Sequence, residues 1–262
     1  IFFRRKMDLI VRPMMENYVG ILSSFVGCFV IQFGSAAVTR KAVPKTWEHL
    51  EKTNNATEFL VRCVSNVHGL ITATLIPSFF LLPAEIRNDP YGYDPYTQLV
   101  LSISVGYFLW DLWVCVHYRW PIAFWGHGIC CFAVMYSGLH PFFHQQARFF
   151  LGFFEMSTVL LNVYKQLQAC GHTSGPLYLW VGLVFSATFT VVRILIGIPY
   201  SIWWWGYAIS LFRSGKAHSR VVIIMHLVSN LALNVLNLVW WKGILVLAGR
   251  RLGFTYGETK VD

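Results

Sequence analysis

Charge is scarce in this sequence. Asp, Glu, Lys and Arg make up 13% of its 262 residues, about half of the roughly 25% that a soluble domain carries. With 56% hydrophobic residues and a mean hydropathy of +0.52, this excludes an ordinary water-soluble globule. The six cysteines (Cys28, Cys63, Cys115, Cys130, Cys131 and Cys170) form no CxxC pair and lie in or beside apolar runs. They read as small buried hydrophobes and not as a disulfide or metal framework. His140 and His144 stand at i, i+4, but Pro141 intervenes and no third ligand is evident, so no metal is expected. Basic and aromatic residues do not interleave on any soluble module, which argues against nucleic acid. No internal repeat, low-complexity tract or filter-like segment appears, which sets a channel or transporter aside. No cleavable signal peptide is expected, because the run after Arg4-Arg5-Lys6 is far too long for an h-region.

Long apolar runs are what the sequence does have. About 20 residues cross a bilayer, and seven such spans can be placed, near 17–38, 59–82, 97–118, 121–138, 146–167, 176–200 and 220–247. Pro44, Pro83, the stretch Asn88-Asp89-Pro90-Tyr91-Gly92, Pro121, Pro141 and Gly171 to Pro176 punctuate them. Pro199 is expected to end or kink the sixth, and Trp203-Trp204-Trp205 reads as an interfacial belt. The net charge of +9 gathers in clusters: Arg4, Arg5, Lys6 and Arg12; Arg40, Lys41, Lys45 and Lys52; Arg213, Lys216 and Arg220; Arg250 and Arg251. These suit anionic headgroups, and alternate sides carry nearly equal numbers, so charge leaves the orientation at a near tie. Asn55-Ala56-Thr57 is a glycosylation acceptor sequence in the first loop.

Ionisable residues inside the spans are the unusual feature. Each costs about 2.5–3.5 kcal/mol at mid-helix, so it should face the bundle interior and have a partner. They are Arg62 and His68 in span two, Asp111 and His117 in three, His127 in four, Glu155 and Lys165 in five, Arg193 in six and His226 in seven. Glu155, Thr158, Asn162 and Lys165 fall at i, i+3, i+7 and i+10, one stripe of a helix. His226, Asn230, Asn234 and Asn237 form a second stripe. Two polar faces point to a polar cavity between helices; for the asparagines, interhelical hydrogen bonding is the competing account. His127 lies between Gly126 and Gly128, small neighbours that leave room for a substrate. A neutral imidazole there can serve as base or nucleophile toward a thioester. His140, His144, His172 and His218 fall in loops.

Four segments carry a resemblance. They are Arg62-Cys63-Val64-Ser65-Asn66-Val67-His68-Gly69, Gly106-Tyr107-Phe108-Leu109-Trp110-Asp111, Phe154-Glu155-Met156-Ser157-Thr158-Val159-Leu160-Leu161-Asn162 and Phe189-Thr190-Val191-Val192-Arg193. In order and membrane context the chain resembles the TLC-domain family, which includes the ceramide synthases. The resemblance implies an all-α membrane protein of about seven transmembrane helices. Residues 1–57 would carry the N-terminal helix and a basic loop, 58–247 a six-helix TLC-like core enclosing a polar cavity open to the cytosol, and 248–262 a tail. It also implies a multi-pass location in the endoplasmic reticulum membrane. Ceramide synthases of the family use a His-His pair early in the fourth span. Here Gly126-His127-Gly128 keeps one histidine, so the chain looks closer to the members that are not ceramide synthases.

Two functions follow as expectations. One is an acyl-CoA-dependent lipid acyltransferase, with fatty acyl-CoA as donor, His127 accepting the acyl group or deprotonating the acceptor, and Asp111 or Glu155 orienting its ring. Arg62, Lys165 and Arg193 would bind phosphate, and His68, Asn162, His226, Asn230 and Asn234 would complete the lipid-binding set. The other is a non-catalytic lipid-binding protein that regulates membrane phospholipid composition. Membrane lipids are the expected partners in both, and a homodimer is compatible with either.

Overall fold

Apolar runs with few internal breakers fold as long helices, and in a bilayer each helix satisfies its own backbone. The computed structural model describes residues 2–251, with side chains described for residues 11–249. The side chains of Arg4, Arg5, Lys6, Arg250 and Arg251, and the expected tail from residue 252 onward, lie outside the described residues. In chain order the helices are α1 (Phe2–Ala42), α2 (Pro44–Lys52), α3 (Ala56–Ala73), α4 (Leu75–Leu81), α5 (Ala84–Asn88), α6 (Pro95–His117), α7 (Ile122–Gly138), α8 (His144–Ala169), α9 (Pro176–Phe189), a π-helical segment (Thr190–Ile196), α10 (Gly197–Arg213) and α11 (Arg220–Arg251). There is no strand among the described residues. The protein is an all-α membrane protein. Five helical stretches are long and apolar enough to cross a bilayer: Val11–Ala42, Ala56–Leu81, Pro95–His117, Pro176–Arg213 and Arg220–Gly249. Helix α7 is a shorter apolar helix. Helix α8 is polar because it is interior, burying Gln145, Gln146, Arg148, Glu155 and Asn162.

Local chemistry sets several boundaries. Asp94 caps α6, its Oδ2 accepting from the Thr97 backbone N–H at 2.9 Å, and Pro95 opens the helix where a missing N–H costs nothing. Helices α3 and α4 part at Thr74, three residues before Pro77. The expected helix end at Pro199 does not occur, since the helix runs through it to Arg213. A proline ring clashes with the carbonyl four residues back, here Leu195, which lies in the π-helical segment. A π turn is wider than an α turn and gives that carbonyl room. Of the three tryptophans beyond it, Trp203 faces outward, Trp204 is fully buried against Phe143, and Trp205 donates to Asn230 Oδ1 at 2.8 Å. The belt reading therefore fits Trp203 alone.

Six helical stretches close into a ring. Helix α3 packs on α8, α8 on α9 to α10, these on α11, α11 on α7, α7 on α6, and α6 back on α3. Pairs such as Ser137–His226 and His127–Trp240 show α7 and α11 to be antiparallel. Helix α1 lies outside the ring, parallel to α6, with Asn17 beside Ser102 and Gln32 beside Tyr118. Gly106 permits this approach: a Cβ there would sit 2.2 Å from the Ile21 carbonyl oxygen. The opposite face of α1 exposes Tyr18, Leu22, Val26, Val30 and Phe33, as lipid contact requires.

The two ends of the ring differ. The end carrying loops 82–94, 139–143 and 214–219 is packed shut by Phe143, Phe150, Trp204, Leu211 and Ile223. There His144 is fully buried, its ring nitrogens 3.0 Å from the carbonyl oxygens of Gly138 and Asp94. The end carrying α2 and loops 118–121 and 170–175 encloses a cavity.

Candidate functional site

A cavity of about 400 Å³ lies inside the ring, lined from α3, α6, α7, α8, α9, the π-helical segment and α11. That size is within the usual range of small-molecule sites. Its wall reaches Trp120 in loop 118–121 and Leu247 near the end of α11, so it extends toward the α2 end of the bundle. Arg62, Asp111, His127, Glu155, Lys165 and Arg193 all line it. Six ionisable side chains scattered over more than 130 positions of sequence are thus brought to one space. Most of the remaining wall is aromatic or aliphatic: Trp120, Phe124, Phe185, Phe189, Trp240, Leu161 and Ile244.

The floor is built around Arg193. The π-helical segment presents this buried guanidinium to α8 and α11. Its Nε donates to Ser157 Oγ at 3.0 Å, Nη1 to Asn237 Oδ1 at 3.2 Å, and Nη2 to the Phe154 carbonyl oxygen at 3.0 Å and Thr158 Oγ1 at 3.1 Å. Its countercharge, Glu155 Oε1, stands back at 4.0 Å. On the other side of Glu155, His68 Nδ1 is 3.9 Å from Oε2. Ser104 Oγ donates to the Val100 carbonyl oxygen at 2.8 Å, so its contact with His68 Nε2 at 3.0 Å requires the histidine to donate. That assignment leaves Nδ1 unprotonated and facing Glu155. The His68 ring stacks on Tyr107 at a centroid distance of 3.8 Å, and Tyr107 forms part of the cavity wall. A smaller void of about 30 Å³, the size of one water, continues beside this floor between His127, Cys131, Glu155, Arg193, Asn230 and Asn237.

Nearer the mouth, the charged groups are underpartnered. Arg62 is drawn to one wall by Glu58 Oε1 and Asn162 Oδ1, both at 3.2 Å. Asp111 and Lys165 line the cavity without a hydrogen bond or ion pair among the described residues. Among the described residues His127 has as polar contact only Cys131 Sγ, 3.6 Å and 3.7 Å from its two ring nitrogens, and its ring stands T-shaped to Trp240. The expected orienting carboxylate is not in place. Among the described residues neither Asp111 nor Glu155 lies within 4.0 Å of a His127 ring nitrogen. The cause is register. The close approach of α6 to α7 sets Asp111 against Gly128, where a Cβ would meet its Oδ2 at 3.2 Å, while Glu155 is engaged with His68 and Arg193.

Several expected lipid-binding residues do not reach the main cavity. Asn162 is fully buried, donating to Ser65 Oγ at 2.9 Å and holding Arg62 from behind. His68 acts through Glu155 and Tyr107. His226 Nδ1 meets Ser137 Oγ at 2.6 Å in the closed half. Asn234 donates to Ser201 Oγ on α10 at 3.1 Å, a helix-to-helix hydrogen bond, and to Asn230 Oδ1 one turn earlier on its own helix at 3.0 Å. Asn230 reaches only the small void. Tyr107, Trp120, Phe124 and Trp240 were absent from the expected set. Tyr107 is signalled by its place in the Gly106-Tyr107-Phe108 element, whereas aromatics near span ends look the same in sequence whether they face lipid or a cavity. Among the described residues there is no group of three or more His, Cys, Asp or Glu able to hold a metal ion.

Comparison with known proteins agrees with this architecture. The TLC domain profile matches residues 58–246. The chain is 32% identical to Topoisomerase I damage affected protein 4 of Saccharomyces cerevisiae, over 100% of this chain and 93% of that one. It is 28% identical to an uncharacterized TLC domain-containing protein of Schizosaccharomyces pombe, over 75% of this chain and 66% of that one. It is 33% identical to TLC domain-containing protein 4 C of Dictyostelium discoideum, over 54% of each chain. No solved structure matches it.

Proposed function

The chain belongs to the TLC-domain family, and from that premise we propose that it is an acyl-CoA-dependent lipid acyltransferase working through His127 in the endoplasmic reticulum membrane. One observation carries the reading. Asp111, His127 and Lys165 converge on a single cavity within a membrane bundle and, among the described residues, make no hydrogen bond or ion pair within 4.0 Å beyond the contact of His127 with the Cys131 thiol. Ionisable groups are expensive at bilayer depth, and groups left without partners there are supported by a ligand that supplies them. Arg62 and Lys165 suit a phosphate, and the aromatic and aliphatic wall suits an acyl chain.

The chemistry balances in two steps. A His127 ring nitrogen attacks the thioester carbonyl, the C–N bond forms, and the C–S bond breaks to release coenzyme A thiolate. An acceptor hydroxyl then attacks the acyl-imidazole; its C–O bond forms as the C–N bond breaks. The hydroxyl proton ends on the thiolate, so acyl-CoA and alcohol become ester and free thiol. Neither step needs a metal.

Incubation of the purified protein with an acyl-CoA tests the reading, followed by intact mass and thiol release. The expected result is an acyl adduct or turnover that His127→Ala lowers by about 10²-fold or more, the ordinary scale of a positioned acid–base group. Turnover unchanged in His127→Ala would remove His127 from the reaction. The lack of a carboxylate near His127 favours a second reading, a non-catalytic lipid-binding protein. Retained lipid with neither adduct nor thiol release at any chain length would establish it instead.

A further inference from the structure

Away from the Glu155–Arg193 pair, the cavity displays charges of both signs that no contact within 4.0 Å joins. Asp111 lies on the α6 wall; Lys165 and Arg62 lie on the α8 and α3 walls. Asp111 and Arg62 interact across the space, yet no contact within 4.0 Å joins them, because Glu58 and Asn162 hold the guanidinium back. Arg62 Nε is itself buried without a partner. A purely anionic lipid would satisfy Lys165 and Arg62 but face Asp111 with repulsion. A cationic amphiphile would satisfy Asp111 and strand Lys165. A neutral lipid would leave Asp111 and Lys165 without a close countercharge, with Arg62 held only by Glu58 and Asn162. Aromatic rings at Phe124 on α7 and Trp240 on α11 also line the cavity and suit an ammonium group, which rings attract through their quadrupole.

We propose that the acyl acceptor is a zwitterionic single-chain phospholipid, with its ammonium group on Asp111 and its phosphate on Lys165 and Arg62. The proposal deepens the acyltransferase reading and rests on it for the word acceptor; the headgroup assignment rests on the charges alone. A single-chain phospholipid also carries the free hydroxyl that acyl transfer consumes. Its remaining chain has the apolar wall of Leu161, Phe185 and Ile244 to lie against.

Binding of four amphiphiles of equal chain length to the purified full chain tests the assignment, read by intrinsic tryptophan fluorescence. They are a lysophosphatidylcholine, a lysophosphatidate, an alkylamine and a monoacylglycerol. The zwitterion is expected to bind at least about tenfold tighter than each of the others, a modest share of what a desolvated charge pair is worth. Asp111→Asn should bring the zwitterion down to the lysophosphatidate level, and Lys165→Met should bring it down to the alkylamine level. Lysophosphatidate or alkylamine binding as tightly as the zwitterion to the unmodified protein overturns the proposal, whether or not the variants fold. An equal loss of all four ligands in Asp111→Asn also overturns it. Acyl transfer from acyl-CoA is followed in parallel. Zwitterion preference without transfer to any acceptor upholds the headgroup site and overturns the enzymatic reading. Transfer without the preference does the reverse.

Discussion

Two buried arginines on the interior helices of this bundle are treated differently, and the contrast separates its two halves. In the closed half, Arg148 is 1% exposed; its Nη1 donates to Asp94 Oδ2 at 3.1 Å, Nη2 to Ser78 Oγ, and Nε to the Leu75 carbonyl oxygen at 3.4 Å. Asp94 is itself tied to the backbone and hydroxyl of Thr97, and Gln145 Nε2 reaches the Gly92 carbonyl oxygen at 2.7 Å. Here the cation, its anion and the loop behind them are joined in one network. In the cavity half, Arg193 has four hydrogen-bond acceptors, but its anion stands off at 4.0 Å, and among the described residues Asp111 and Lys165 have no ion pair within 4.0 Å. A charge pair inside a membrane is a fastener when it is closed and a recognition surface when it is left open.

The sharpest way to break this comparison is Arg148→Ala. Removing one partner of a buried pair strands the other, at a cost of about 3–5 kcal/mol. A large drop in the thermal midpoint of the detergent-solubilised protein is expected, and a midpoint near that of the unmodified protein would show the network to be dispensable.

The same pair sharpens the comparison through pH. Burial pushes the Asp94 carboxyl up, but the Thr97 hydroxyl and backbone N–H, then Arg148, outweigh it and hold the group below the usual carboxylate range. A depressed folded value means stability that is present above the unfolded value, about 3.9, and lost as pH falls through the folded one. The contribution of Asp94 to the thermal midpoint should therefore be constant with pH around neutrality and be lost in acid below about pH 4. Asp94→Asn should flatten that acid fall and lower the midpoint at neutral pH. An acid profile identical in the two proteins would disprove the assignment.

Asp111→Asn is the smallest change expected. With no hydrogen bond or close ion pair to lose, and with its attraction to Arg62 opposed by repulsion from Glu155, the ligand-free protein should shift by no more than about 0.5 kcal/mol, like a substitution away from special features. A loss comparable with that of Arg148→Ala would mean that Asp111 belongs to the structural network after all.

Much of the fold was legible residue by residue. Length, apolar runs and prolines placed most helix ends to within a few residues; the exceptions are α1, which begins at Phe2 and not near residue 17, α2, which forms within the expected basic loop, and the stretch beyond Pro199. There the π-helical segment that accommodates the ring leaves no mark in the hydropathy. Periodicity found both polar stripes but not their different roles. On α8, Glu155, Thr158 and Lys165 turn into the cavity. On α11, His226 and Asn234 are spent on Ser137 and Ser201, and Asn237 serves Arg193. A stripe says which side of a helix is polar and not which neighbour it meets.

By itself, the sequence determined that this is a helical membrane protein with ionisable groups at bilayer depth. Composition and run length are properties of the chain alone, and lipid admits few ways to satisfy a backbone. Tertiary structure alone decided which of those groups face one another. It set Asp111 against Gly128 and Glu155 between His68 and Arg193, leaving His127 without a carboxylate. Such pairings depend on the order and depth at which helices pack, and distances of a few ångströms between residues a hundred positions apart are not encoded in local periodicity.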